Sequence, residues 1–277
     1  GPIWRFGNLP RAGLIVTAKL LSGTARYAGR SRALCEAFGV LPWSQTLADQ
    51  KHVLDWLCAL GVNLINDNLL TYTIKGFRKR GGSGKHFSQP WWVYYRQFSD
   101  YTRRVCALAA RGRLEADVAV LYPTTQAWCL MAPRGDTGMK VLRDAQPPAL
   151  GRTEAALYAV SDALLRLHRG FELLFDDVLA RARVSGGRLE APAASSKTIL
   201  LPGLLYLRSD VYERLCAFSR DGGQVIIVGE PPAMGVDPDR RRLQPLRSIP
   251  GALRLPLGAP ADLEARLAAA LPKAADA

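Results

Sequence analysis

The chain has 277 residues, of which 48% are hydrophobic and 22% charged, with a formal net charge of +13. That balance is ordinary for a globular chain, and the lack of any run of eighteen apolar residues excludes a transmembrane helix, so no membrane partner is expected. Five cysteines (Cys35, Cys58, Cys106, Cys129, Cys216) are an odd number without CxxC spacing, which argues against a zinc site and against a disulfide framework.

The N-terminus, Gly1-Pro2-Ile3-Trp4-Arg5, has no apolar core and is not a signal peptide. It reads either as a cleavage scar or as the start of a piece of a longer chain. The excess of 37 Lys and Arg over 24 Asp and Glu would suit a polyanion. The basic residues are dispersed, however, apart from 75–80 and Arg240-Arg241-Arg242. A solvated arginine-rich surface is therefore preferred to a nucleic-acid partner.

Residues 13–29 read as a short strand running into a helix that ends at Gly29, with Lys19 and Ser22 near the junction. Residues 32–38 follow as a short buried strand that delivers Glu36 to its C-terminal end. An ionised carboxylate in an apolar strand needs a partner or a function. Two readings stand level: a catalytic group at the end of a barrel strand, where active sites are built, or a structural glutamate held by a neighbouring Arg or Lys. Thr46 caps a helix over 47–60 that Gly61 stops, and a strand over 62–66 comes next. That strand runs into Asp67-Asn68-Leu69-Leu70-Thr71-Tyr72, a second gathering of polar groups at a strand end.

The glycines at 81, 82 and 84 stand in a basic loop outside any strand-turn-helix pattern, which makes a phosphate cradle a weak reading. Gln89-Pro90-Trp91-Trp92 opens a long helix that ends at Gly112; its tandem tryptophans are either a stacking platform or a hydrophobic plug. Asp117–Pro123 begins a second unit as a buried strand, and 124–153 look loop-like. A helix over 154–169, the run 171–175, a strand at 198–202, a helix over 209–220 and a strand at 222–229 complete it. Continuous apolar strands separated by helices imply a small doubly wound parallel sheet. Beyond Pro231 the chain is rich in proline and arginine and closes on a helix over 261–271.

Six segments occur in an order that resembles the α-L-rhamnosidase-type glycoside hydrolases (family 106) and related bacterial glycosyl hydrolases. They are 32–39, Lys51–Trp56, Gly61–Asn66, Gly76–Arg80, Gln89–Trp92 and Asp100-Tyr101. The likeness extends over about 10–232, and its most specific pieces are Cys35-Glu36-Ala37-Phe38-Gly39 and the Asp-Trp…Gly-Val-Asn run. It implies an α/β chain, the C-terminal part of a (β/α)8 barrel over 1–112 and a flavodoxin- or amidotransferase-like domain over 113–235; the proline- and arginine-rich composition makes 236–277 a linker with a short terminal helix. It also implies inverting hydrolysis of terminal α-L-rhamnosides, with two carboxyl groups about 6.5–9.5 Å apart.

Glu36 matches the family's glutamate and is the catalytic candidate. Asn63, Asn66, Asp67, Asn68, Tyr72, Trp91 and Trp92 are the substrate-binding candidates, with Asp67 a weak second carboxylate. The chain departs from the family at Asn68 and Ser88, where histidines are expected, and at Gly81, where aspartate is expected. A non-catalytic carbohydrate-binding or scaffold remnant is the alternative reading, and a basic nucleic-acid-binding protein the third. No cofactor is expected; calcium is compatible with such sites, with no ligands assigned. The expected partners are a carbohydrate substrate and either a missing N-terminal half of the barrel or a second copy of the chain.

Overall fold

The computed structural model describes residues 12–39, 42–68, 70–76, 84–112, 114–131, 147–192, 194–239 and 242–272. They belong to a mixed α/β chain of two compact units, Gly1–Leu114 and Glu115–Ala277.

The first unit begins with helix α1 (Ala12–Tyr27). The expected strand at its start is instead helical. Ile15, Ala18, Lys19 and Ser22 are buried at spacings of three and four, a helical face rather than an alternating one. Gly29, at φ +67°, lies just past the helix end. Strand β1 (Leu34–Ala37), helix α2 (Leu47–Ala59) and strand β2 (Leu64–Asp67) follow, then a 3₁₀ turn (Trp92–Tyr94) leading into helix α3 (Tyr95–Arg111). Thr46 and Asp49 form a reciprocal capping box at the start of α2. The α2–β2 turn is drawn against α1, where the Ser22 hydroxyl donates to the Leu60 carbonyl at 2.9 Å. Gly61 is required there: its φ is +94°, and a Cβ would stand 2.9 Å from that of Ser22.

Strands β1 and β2 pair in parallel, Glu36 opposite Asn66 and Ala37 opposite Asp67. Among the described residues no third strand joins them. The reading of β1 as a buried strand therefore holds for one face. Ala33 and Ala37 are buried, whereas Leu34 and Leu64 remain 52% and 38% exposed.

In the second unit come β3 (Val118–Leu121), α4 (Thr124–Leu130), α5 (Pro148–Arg166), β4 (Phe171–Leu174) and α6 (Asp176–Arg181). After them stand β5 (Arg183–Ser185), β6 (Arg188–Ala191), β7 (Ala194–Ser196), β8 (Thr198–Pro202) and β9 (Tyr206–Arg208). The unit closes with α7 (Ser209–Arg220), β10 (Gln224–Val228), β11 (Met234–Val236), β12 (Leu243–Pro245), β13 (Leu253–Leu255) and α8 (Pro260–Ala270).

Five strands make one parallel sheet in the order β13-β10-β8-β3-β4. Strands β3, β4 and β8 are buried along their whole length and β10 at all but its first residue, which is why they read as apolar runs. The stretch expected to be loop-like from 124 contains α4, and α5 starts at Pro148; residues 132–146 lie outside the described residues. The proline- and arginine-rich tail supplies edge strand β13, and β11 with β12 forms a small sheet with β9.

Candidate functional site

The carboxyl ends of β1 and β2 gather the polar groups of the first unit. Glu36 and Asn66 are in register, so their side chains share one face of the pair; both are exposed. The Glu36 carboxylate accepts a hydrogen bond from the Asn68 amide just past β2. Among the described residues neither Arg nor Lys pairs with it. Its recorded partner is a neutral donor, and its surroundings are open to water.

Asp67 has the opposite setting. Its Oδ1 lies 2.6 Å from the Lys85 Nζ, and its Oδ2 accepts from the Tyr95 hydroxyl. Lys85 in turn donates to that hydroxyl at 2.9 Å. The ammonium lies 4.4 Å from the ring centre of Phe38 and 5.2 Å from that of Tyr95, within cation–π range. Burial pushes the Lys85 amine below its usual value, with the Asp67 charge and hydrogen bond opposing. Burial, then the bond to Asp67, pushes the Tyr95 phenol well up. The triad thus holds an ion-paired carboxylate beside one whose described partner is a neutral amide.

Local chain geometry explains how a loop lysine reaches a strand end. The Thr71 amide and hydroxyl both donate to the Lys85 carbonyl, at 3.1 and 2.9 Å. The Gln89 amide donates to the carbonyls of Trp43 at 3.0 Å and Gly84 at 2.6 Å. Residues 84–89 are therefore tied to the segments that follow both strands. Phe38 sits at φ +65° while 1% exposed, a left-handed conformation that a bulky residue rarely adopts.

The other candidates divide. Trp91 donates its indole N–H to the Gln45 carbonyl at 2.8 Å, and Trp92 stacks on Tyr95 at 5.1 Å and 7°. Both are half-buried in the unit's own aromatic cluster, the arrangement of a plug. Tyr72 is 75% exposed. Asn63 stands apart from the rest. Its amide oxygen accepts from the Ala33 N–H at 2.8 Å and its nitrogen donates to the Ser31 carbonyl at 2.9 Å, at the opposite end of the strands. Residues 77–83, including the basic loop and Gly81, lie outside the described residues. Lys85 and Tyr95 escaped sequence reasoning, since neither belongs to a motif or follows a strand.

Among the described residues no group of three His, Cys, Asp or Glu side chains is placed to hold a metal ion. No helix among them is long and apolar enough to cross a membrane.

No protein-family model matches the sequence, and no curated protein matches it at a significant level. Solved structures do resemble it. A rhamnosidase from Novosphingobium sp. PP1Y is 23% identical with a TM-score of 0.51, over 80% of this chain and 20% of that one. A beta-galactosidase from Rahnella sp. R3 is 18% identical with a TM-score of 0.57, over 90% and 34%. A beta-galactosidase from Bacillus circulans sp. alkalophilus is 14% identical with a TM-score of 0.51, over 79% and 30%. The fold is thus glycoside hydrolase-like, and the chain spans between 20% and 34% of the length of these structures.

Proposed function

We propose that the chain is a segment of a glycoside hydrolase, with Glu36 as the carboxyl group that acts on the glycosidic bond. In this reading the first unit is the C-terminal part of a (β/α)8 barrel and the second a flavodoxin- or amidotransferase-like domain. Strand ends on a barrel rim carry catalysis, and Glu36 occupies such an end on an exposed face, flanked by the amides of Asn66 and Asn68. That placement is the observation that carries the reading. The amides suit sugar hydroxyls, which both donate and accept hydrogen bonds. The resemblance noted in the sequence favours an inverting α-L-rhamnosidase, and the rhamnosidase among the similar structures supports it. Acid–base hydrolysis by two carboxyl groups needs no cofactor.

A second reading rests on Asp67. The weak second carboxylate is neutralised by Lys85 and already accepts from Tyr95, so it is poorly suited to activate water. Unless another barrel segment or a second copy of the chain supplies the missing group, the site binds a sugar without cleaving it. The deciding assay is hydrolysis of an aryl α-L-rhamnoside and an aryl β-D-galactoside by the purified chain, beside Glu36→Gln. Turnover of the rhamnoside, lowered at least a hundredfold in the variant, is expected of the hydrolase. Unchanged turnover in Glu36→Gln would remove Glu36 from the reaction. No turnover, with rhamnose still bound, selects the binding remnant.

A further inference from the structure

The carboxyl edge of the parallel sheet in the second unit opens into a cavity of about 640 Å³. Open parallel sheets hold their ligands outside the carboxyl ends of the strands, where the chain's progress across the sheet reverses. Here the reversal falls between β3 and β8, since β4 lies on one side of β3 and β8, β10 and β13 extend on the other. The chain fills that spot itself. Gln126 is 1% exposed; its oxygen accepts from the Leu205 and Tyr206 N–H groups at 3.1 and 2.9 Å, and its nitrogen donates to the Thr153 hydroxyl at 3.1 Å. The open space is displaced toward the edge formed by β8, β10 and β13.

Two glycines shape it. Gly203 and Gly229 follow β8 and β10 at φ +52° and +92°, so both strands turn away there without a side chain. Leu205, Leu255 and Leu257 give the cavity an apolar wall, and Arg152, Glu230 and Arg254 stand around it. The two glycine donors at this edge are already used: Gly203 N–H donates to the Val228 carbonyl and Gly229 N–H to that of Leu255, both at 2.8 Å. The charged groups around the cavity are the side chains of Arg152, Glu230 and Arg254. All three charged residues are exposed, and among the described residues none pairs with another group. Two arginines against one glutamate leave a single net positive charge.

We propose that this cavity binds a small monoanion with an apolar body, a carboxylate or a phosphate diester carried on an aromatic or aliphatic group. The apolar part lies against the leucines, the anion meets Arg152 and Arg254, and Glu230 disfavours polyanions. The site does not depend on the glycosidase reading, because it uses none of the residues around Glu36.

The test is isothermal titration of the purified full chain at pH 7 with methyl phenyl phosphate, phenylacetate and benzyl alcohol. At least one anion is expected to bind more tightly than benzyl alcohol, and which anion does so distinguishes phosphate esters from carboxylates. Arg152→Ala and Arg254→Ala should each weaken that binding about tenfold or more, and Glu230→Gln should strengthen it. Leu257→Trp should fill the cavity and abolish binding while leaving the circular dichroism spectrum unchanged. Failure of both anions to bind overturns the proposal. So does binding of benzyl alcohol as tight as that of the anions, or binding unchanged in both arginine variants.

Discussion

Lys85 keeps 2% of its side chain exposed while Asp67 keeps 38%, so the two halves of this ion pair should respond differently to truncation. Removing Asp67 leaves an ammonium in a nearly dry setting, with Tyr95 and the face of Phe38 as its remaining company. Breaking a buried pair in that way costs about 3 kcal/mol or more. Removing Lys85 leaves a carboxylate that water can reach and that Tyr95 still donates to, a loss nearer the surface-pair range of about 1 kcal/mol. Asp67→Ala should therefore lower the urea unfolding free energy more than Lys85→Met does. The reverse order would mean that Lys85 stabilises the unit chiefly through the packing of its stem. The same asymmetry separates the two carboxylates: Asp67 is tied to a buried lysine and a phenol where β2 ends, and the described partner of Glu36 is the neutral Asn68 amide.

At the scale of elements, short helices are held by single polar joints. Asp176 opens α6, is buried, and accepts from the backbone N–H of Thr125 at 3.1 Å and its hydroxyl at 2.6 Å, tying α6 to α4. Burial pushes its carboxyl above the usual range and the Thr125 bonds only partly offset this. The folded chain therefore holds the Asp176 proton more tightly than the unfolded chain does. The stabilisation this confers is complete below the unfolded pKa, near 4, and is lost as pH rises through the folded value. Asp176→Asn keeps the acceptor and removes the charge. It should raise the melting temperature relative to the wild-type chain more at pH 7 than at pH 4. An equal difference at both would show that Asp176 does not titrate with folding.

Elements of this kind also mark how far the sequence could be read. The helix over 47–60 was legible because Thr46 and Gly61 punctuate it, and the strands at 118–121, 198–202 and 224–228 because burial on both faces leaves continuous apolar runs. Helix α1 was misread because Leu14-Ile15-Val16 is as apolar as a strand, while its face emerges only over three turns. The β5–β6 hairpin went unread although its two-residue turn, Gly186-Gly187 with both φ positive, carries a known hairpin signal. Of the site, Glu36 and the polar run after β2 were visible at strand ends. Lys85 and Tyr95 were not, because a loop clamp and a helix bring them there, and contacts that distant leave no local pattern.

Across the whole molecule, the two units differ in how their sheets are protected. In the second unit Ile199, Leu200, Leu201, Val225 and Ile226 have no exposed surface, and β8 and β10 are each flanked by strands on both sides. In the first unit β1 and β2 have only each other among the described residues, and one face carries exposed Leu34 and Leu64 beside Glu36 and Asn66. Backbone hydrogen bonds open locally where few apolar contacts cover them, and resist exchange up to the global stability where the core is closed. Hydrogen-exchange mass spectrometry should thus find peptides over 198–202 and 224–228 the slowest of the chain, and those over 34–37 and 64–67 far faster. If further barrel strands or a second copy of the chain cover the open face, as the proposed function requires of a complete barrel, adding that partner should slow 34–37 and 64–67 and leave 198–202 unchanged. Equal protection of both sheets in the isolated chain would instead mean that the β1–β2 pair is stable as it stands, and the argument for a completing partner would fail.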